Sequence, residues 1–234
     1  MTVARSTGGV AEADRPLLHD SRRNIAYAKP LLRGWLHLLW FEASLVVGTL
    51  VLVRAKGASE VTSIAIYAAA VSGLFGTSAL YHRGNWRPRC SQWLQRADHM
   101  MIFMLIAGTA TPAFVLAAPS PYGVVGVTVL WTLTAAAMLT RLVWMSAPEK
   151  LAGAIFLALG WTAGLSIPFV WVNEGVAPAA LLIAGGLLYT AGALSYHRRR
   201  PDPVPTVFGY HEVFHAYVCV AAACQYVAIT FYLT

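Results

Sequence analysis

Residues 61–89 read VTSIAIYAAAVSGLFGTSALY-HRGNWRPR. From Val61 to Tyr81 no side chain is charged. A helix needs about 20 such residues to cross the hydrocarbon core of a bilayer. The block ends at His82 and is followed by Arg83, Arg87 and Arg89, which is how a span meets a membrane surface. Reading outward, six more apolar blocks lie near 35–54, 98–118, 123–145, 151–172, 178–196 and 211–233, with the quoted one near 61–82. The expected fold is therefore all-α, a polytopic membrane protein built as a bundle of seven transmembrane helices. Pro168 falls inside the fifth block, so a kink or an early end is expected there. Loop signals separate the blocks: Pro112 and Pro119–Pro121 after the third, Gly175 and Pro178 after the fifth, Pro201–Pro205 before the seventh.

Composition supports the same class. Hydrophobic residues make up 58% of the 234, charged residues 12%, and mean hydropathy is +0.59. So few charges cannot cover a globular surface. The net charge of +7 suggests nucleic acid at first sight, but the basic residues sit in short segments between apolar blocks and form no stripe with stacking aromatics. Cys90, Cys219 and Cys224 make no CxxC pair, which argues against a disulfide scaffold. Residues 1–30 lack the apolar core of a signal peptide and read as a polar, mobile cytoplasmic tail, leaving 31–234 as one membrane domain.

Orientation follows from the positive charge. Fifteen of the 17 Lys and Arg residues fall on one side of a seven-span chain, and only Arg54 and Lys56 on the other. The positive-inside rule then puts the N-terminus in the cytoplasm and the C-terminus outside, in a multi-pass protein of the cell membrane.

Ionisable groups inside spans are costly and mark candidate sites. His211 and His215, in GYHEVFHAYV, are four residues apart and share a helix face. The string reads H-E-x-x-H, but the apolar span that follows excludes a soluble metalloprotease, so only the pairing of two imidazoles carries over. His82 closes the second span, with Ser78 one turn before it on the same face. Asp98 opens the third. Span parity puts His82, Asp98, His211 and His215 at one membrane depth, near the cytoplasmic face. Three neutral histidines with an open fourth position are the donor set of a catalytic zinc. Asp98 would hold and deprotonate a water, and Ser78 would steady an oxyanion or orient the substrate. Alternatively, these groups simply pair and tie three helices together.

Four other residues are weighed. His37, near the start of the first span, and His99, about 100° around the helix from Asp98, read as supporting groups or helix contacts. Glu42 lies deeper in the first span without an evident partner. Glu212, at the boundary, reads as solvated or paired with an arginine. Trp35, Trp40, Tyr81, Trp144, Trp171 and Tyr196 fit an aromatic belt. The runs Arg83–Arg89 and Arg198–Arg200 are topological signals that could also meet anionic headgroups.

Taken together, Ser78-Ala-Leu-Tyr-His82, Arg96-Ala-Asp98-His99 leading into Ile106-Ala-Gly-Thr-Ala-Thr-Pro112, and Gly209-Tyr-His211-Glu-Val-Phe-His215 resemble the hemolysin III branch of the progestin and adipoQ receptor (PAQR) family. The resemblance covers roughly residues 31 to 234. It implies seven helices with the N-terminus inside, and zinc held by His82, His211 and His215 with Asp98 reaching the metal through water. The family is similar to alkaline ceramidases, which implies hydrolysis of a lipid amide. Ala110 stands where members often carry Tyr, and Glu42 where an apolar residue is expected; neither is in the ligand set.

Three functions follow as expectations. The first is a zinc-dependent intramembrane hydrolase of lipid amides or esters. The second is a non-enzymatic membrane-homeostasis protein that adjusts bilayer fluidity, with zinc as a structural clamp. The third is a pore, which would require a polar stripe along several helices rather than polar groups at one depth. Membrane lipids are the expected partners, with no nucleic acid or soluble partner.

Overall fold

The computed structural model describes residues 17–20, 25–144 and 148–234. Its helices are α1 (Trp35–Arg54), α2 (Ala58–Arg83), α3 (Pro88–Pro112), α4 (Tyr122–Val143), α5 (Glu149–Ala163), α6 (Ile167–Glu174), α7 (Val176–Arg198) and α8 (Tyr210–Tyr232). They make seven membrane spans, because α5 and α6 form one span through a 3-10 turn, Gly164–Ser166. That break is the one Pro168 announces. Proline cannot donate to the preceding turn, but it is tolerated in the first turn of a new helix, where it now sits.

Two sequence boundaries need correction. The third span begins not at 98 but ten residues earlier, with Pro88 in its first turn. Its opening turns carry Arg89, Ser91, Gln92, Gln95 and Arg96. An apolarity count misses such a segment, although it is continuous helix. Asp98 therefore lies in the third turn of α3 rather than at its mouth. The second correction concerns Pro112, which is buried inside the helix and not in a loop. The chain continues past it as a π-helical turn, Ala113–Ala117, so the helix is modified but not ended there. Next to the break, the Thr111 hydroxyl donates to the Ala107 carbonyl at 2.7 Å and accepts from Trp131 Nε1 at 3.1 Å.

α3 is the interior helix. Of the apolar window of its span 61% is buried, against 17% for α1. It packs against α2, α4 and α5, while α1 closes onto α2 and α8, and α7 onto α8. Lipid is no less apolar than leucine, so close approach of small residues holds such helices together. A Cβ on Gly108 of α3 would lie 2.4 Å from the Ala70 Cβ of α2. Between α1 and α2 the Ser44 and Ser72 hydroxyls meet at 2.9 Å. One apolar core runs through Ile64, Phe75, Val218 and Ile229, and a second through Phe103, Leu130 and Leu159.

Part of the segment read as a polar tail is ordered by pairing. Two short antiparallel strands, β1 (Leu17–Asp20) and β2 (Ile25–Ala28), set Leu17 opposite Ala28 and Asp20 opposite Ile25. The β-prone Tyr27 favours the pairing. Residues 1–16 and 21–24 of that tail, with Arg5, Arg15, Arg22 and Arg23, lie outside the described residues. Beyond β2 the chain is strapped over the bundle end. Lys29 Nζ donates to the carbonyls of Arg83 (3.3 Å) and Gly84 (3.2 Å), and the Leu31 and Leu32 amides donate to Thr206 (3.1 Å) and Val207 (3.0 Å). Burial first, then the fields of Arg33 and Arg83, pushes the Lys29 ammonium below its ordinary range.

Candidate metal centre

The strap ends at Arg33 and Gly34, and these two residues prepare the site beneath it. Gly34 caps α1 with φ +80°, a left-handed backbone that favours glycine. A Cβ there would lie 2.9 Å from the Cβ of His82, so the missing side chain is what lets the strap cross the end of α2. Arg33 Nε donates to Glu212 Oε1 of α8. Both groups are buried, Arg33 at 5% exposure and Glu212 at 1%. Burial is the largest single influence and would lower the guanidinium, but Glu212 and Tyr27, through their charges and hydrogen bonds together, outweigh it and hold it above its ordinary range. The other oxygen of Glu212 accepts the Gly209 amide at 2.9 Å, and Asp202 Oδ1 accepts the Tyr210 amide at 2.9 Å. Carboxylates thus satisfy the free N–H groups that open α8 and suit the positive end of its dipole. Glu212 is paired with an arginine, one of its two expected states.

With α8 placed this way, His211 and His215 face the end of α2. His82 Nε2 and His211 Nε2 are 3.3 Å apart. One ring nitrogen from each of His82, His211 and His215 lies within 4.8 Å of the others, so the three could hold a metal ion. The ring centroids are 4.6 to 5.0 Å apart, and the rings cross at steep angles. His82 and His215 are buried and His211 is half-buried. Asp98 Oδ2 of α3 lies 3.7 Å from His82 Nε2, on the side His211 also faces. Ser78 is buried one turn before His82. The deeper placement of Asp98 in α3 does not separate it from the histidines, because α2 and α3 run antiparallel and side by side here.

The two weaker histidines divide. His37 of α1 stacks on His215, with centroids 3.7 Å apart and planes 10° apart, and turns an edge to Phe75. It is 3% exposed, and neither of its nitrogens has a partner among the described residues. His99 instead points to α4, where its Nδ1 accepts from Arg141 at 2.6 Å. Glu42 is exposed on α1, away from the cluster. Sequence reasoning missed Arg33 and Gly34, the two residues that seat the site. The signal was present in a polar Arg-Gly pair immediately before an apolar block, but Arg33 was counted only as topological charge.

Gly34 supplies a direct test. Gly34→Ala is expected to lower stability by about 1–3 kcal/mol from backbone strain alone, and to displace His82. Thermal unfolding in detergent with and without added zinc checks both effects. A variant as stable as the parent, with the same zinc-induced shift, would show that the close approach is not needed.

The family described as "Haemolysin-III related" matches residues 25–226. The chain is similar to "Hemolysin-3" of Bacillus cereus, 26% identical over 176 residues, which cover 75% of this chain and 77% of that protein. It is similar to "Hemolysin-3 homolog" of Bacillus subtilis (strain 168), 23% identical over 173 residues, or 74% and 78% of the two chains. A shorter match, 36% identical over 91 residues, covers 35% of this chain and 40% of "Heptahelical transmembrane protein ADIPOR2" of Oryza sativa subsp. japonica.

Proposed function

The chain belongs to the haemolysin-III related family, the hemolysin III branch of the PAQR family, and from that premise we propose that it is a zinc-dependent intramembrane hydrolase of lipid amides or esters. The observation that carries the reading is the meeting of three imidazoles with a carboxylate and a hydroxyl at one end of the bundle. The donor set fits zinc. Nitrogen ligands about 2.0–2.1 Å from a tetrahedral zinc are about 3.3 Å from each other, and His82 Nε2 and His211 Nε2 have that separation. Imidazole donors without thiolate or clustered carboxylate also suit zinc better than magnesium or calcium.

His82, His211 and His215 would hold the ion, and His37 would keep the His215 ring in place by stacking on it. When bound, zinc polarises a carbonyl and makes hydroxide available from water near neutral pH. Asp98 takes the proton of the attacking water on its carboxylate and returns it to the departing nitrogen or oxygen, so the proton count closes. Ser78 would steady the oxyanion that develops on the carbonyl, or orient the substrate. The interior position keeps bulk water from the reacting bond. The distribution of positive charge supports a cytoplasmic N-terminus and a centre near the cytoplasmic face of the cell membrane.

The deciding experiment is turnover of a broad lipid extract by zinc-loaded protein beside Asp98→Asn. The variant is expected to keep its metal and lose about 10²- to 10⁴-fold in rate. Full hydrolysis by metal-free protein would sink the proposal. Burial of the histidines favours a second reading, a structural zinc clamp between α2 and α8 in a non-enzymatic membrane-homeostasis protein. That reading predicts a metal-dependent melting point with no lipid consumed. The lysis implied by the relatives' name is a weaker third reading, because the polar groups meet at one depth and do not line a path.

A further inference from the structure

On the opposite face of α3 from the histidine centre lies a second group of polar side chains. Arg141 of α4 is only 6% exposed. One of its nitrogens is given to His99 Nδ1 at 2.6 Å, and its Nε is buried with no partner. An imidazole that accepts this bond is neutral at that atom, so it brings no negative charge. Arg96, one turn before His99, also has a buried Nε without a partner, and its guanidinium lies 4.7 Å over the Trp93 ring. Positions 96, 99 and 103 share one face of α3, and Phe103 on that face packs into the core with Leu130 and Ala137 of α4. Among the described residues no carboxylate pairs with Arg96 or Arg141.

A snorkelling arginine keeps its head in water and needs no counter-ion. Arg141 fits that description only at its outermost nitrogen, because its Nε is sealed off and its one bond goes to a neutral group. A guanidinium withdrawn from water requires an anion. The planar fork of the Arg141 guanidinium suits a tetrahedral oxyanion with several acceptor atoms, and Arg96 stands one turn from its partner His99. Depth agrees: Arg141 stands two residues before the end of α4, about 3 Å along the axis, where phosphates of a leaflet begin. Leu139, Leu142 and Val143 on the outside of the same helix are exposed and offer an apolar surface for acyl chains.

We propose that Arg141, with His99 and Arg96, binds a phosphate group at the seam of α3 and α4, from the headgroup of an anionic phospholipid or from free phosphate. The site is separate from the histidine centre and does not depend on its chemistry.

Thermal unfolding of the full chain in a neutral maltoside tests this with three additions: dioleoylphosphatidylglycerol, dioleoylglycerol, which has the same chains without phosphate, and inorganic phosphate. The phospholipid is expected to raise the midpoint by several degrees and the diacylglycerol to leave it in place. In Arg141→Gln the concentration for half the effect should rise at least tenfold. A rise with the phospholipid alone assigns the ligand to the membrane, and an equal rise with inorganic phosphate assigns it to solution. If Arg141→Gln does not fold, Arg96→Gln and His99→Leu carry the test, with at least a threefold rise expected. A wild type unmoved by both phosphate compounds, or folded variants that respond as the wild type does, overturns the proposal.

Discussion

Glu212→Ala is expected to destabilise the protein by about 3–5 kcal/mol, because it leaves the Arg33 guanidinium buried without its counter-charge. Few single changes in this chain should cost more. The carboxylate has two duties: one oxygen neutralises Arg33 of the strap, and the other accepts the first free amide of α8. Glu212→Gln keeps a hydrogen-bond acceptor for the amide but not the charge, so it should fall between alanine and the parent. Arg33→Met/Glu212→Leu removes both charges and should recover most of the loss, since a buried pair replaced by apolar groups of similar volume is often neutral. Melting points of the four proteins in one detergent decide the matter. If Glu212→Ala melts with the parent, or the double variant is no better than the single, the pair does not hold the strap to α8.

The second large effect concerns metal. Zinc-supplied wild type should carry about one ion per chain, and His211→Ala/His215→Ala should carry only background. A ligand that binds only the folded state at a hundred times its Kd adds about 2.7 kcal/mol of stability. Chelation should therefore lower the melting point of the wild type and leave the double variant where it was. The two measurements check each other. A wild type that stays metal-free when zinc is supplied, with no response to chelator, would make the imidazole cluster a packing feature and end the hydrolase reading.

Most of the fold could be read from the chain because lipid allows so few solutions. A backbone without water must satisfy itself within each span, so length and apolarity locate helices well. The meeting of His82 with His211 and His215 was legible for a related reason. The parity of seven crossings sends residues 129 and more positions apart to the same end, before any contact is known. The rest was hidden where that logic lapses. The start of α3 is polar helix, which apolarity does not detect. Pro112 reads as a breaker, yet the helix runs through it into a π-turn, which the sequence does not announce. Arg33 was one positive charge among fifteen on its side; that it is sealed against Glu212 depends on where the α7–α8 connection runs. His99 could be placed off the site by its angle around the helix, but its partner on α4 could not be foreseen.

The histidine cluster also bears on how the protein is made. Helices leave the ribosome in order, and the first imidazole of the three is finished long before the other two. Until α8 has been threaded into the membrane, the bundle holds a single histidine of the set, together with Asp98 and Ser78. A stalled or shortened chain that ends before Tyr210 is thus unable to assemble the cluster, however well its first six spans are inserted. If the proposed ion binds there, its loading would be a late event, possible only once α8 is in place, and an ion-dependent rise in protease resistance would separate finished molecules from unfinished ones in a cell.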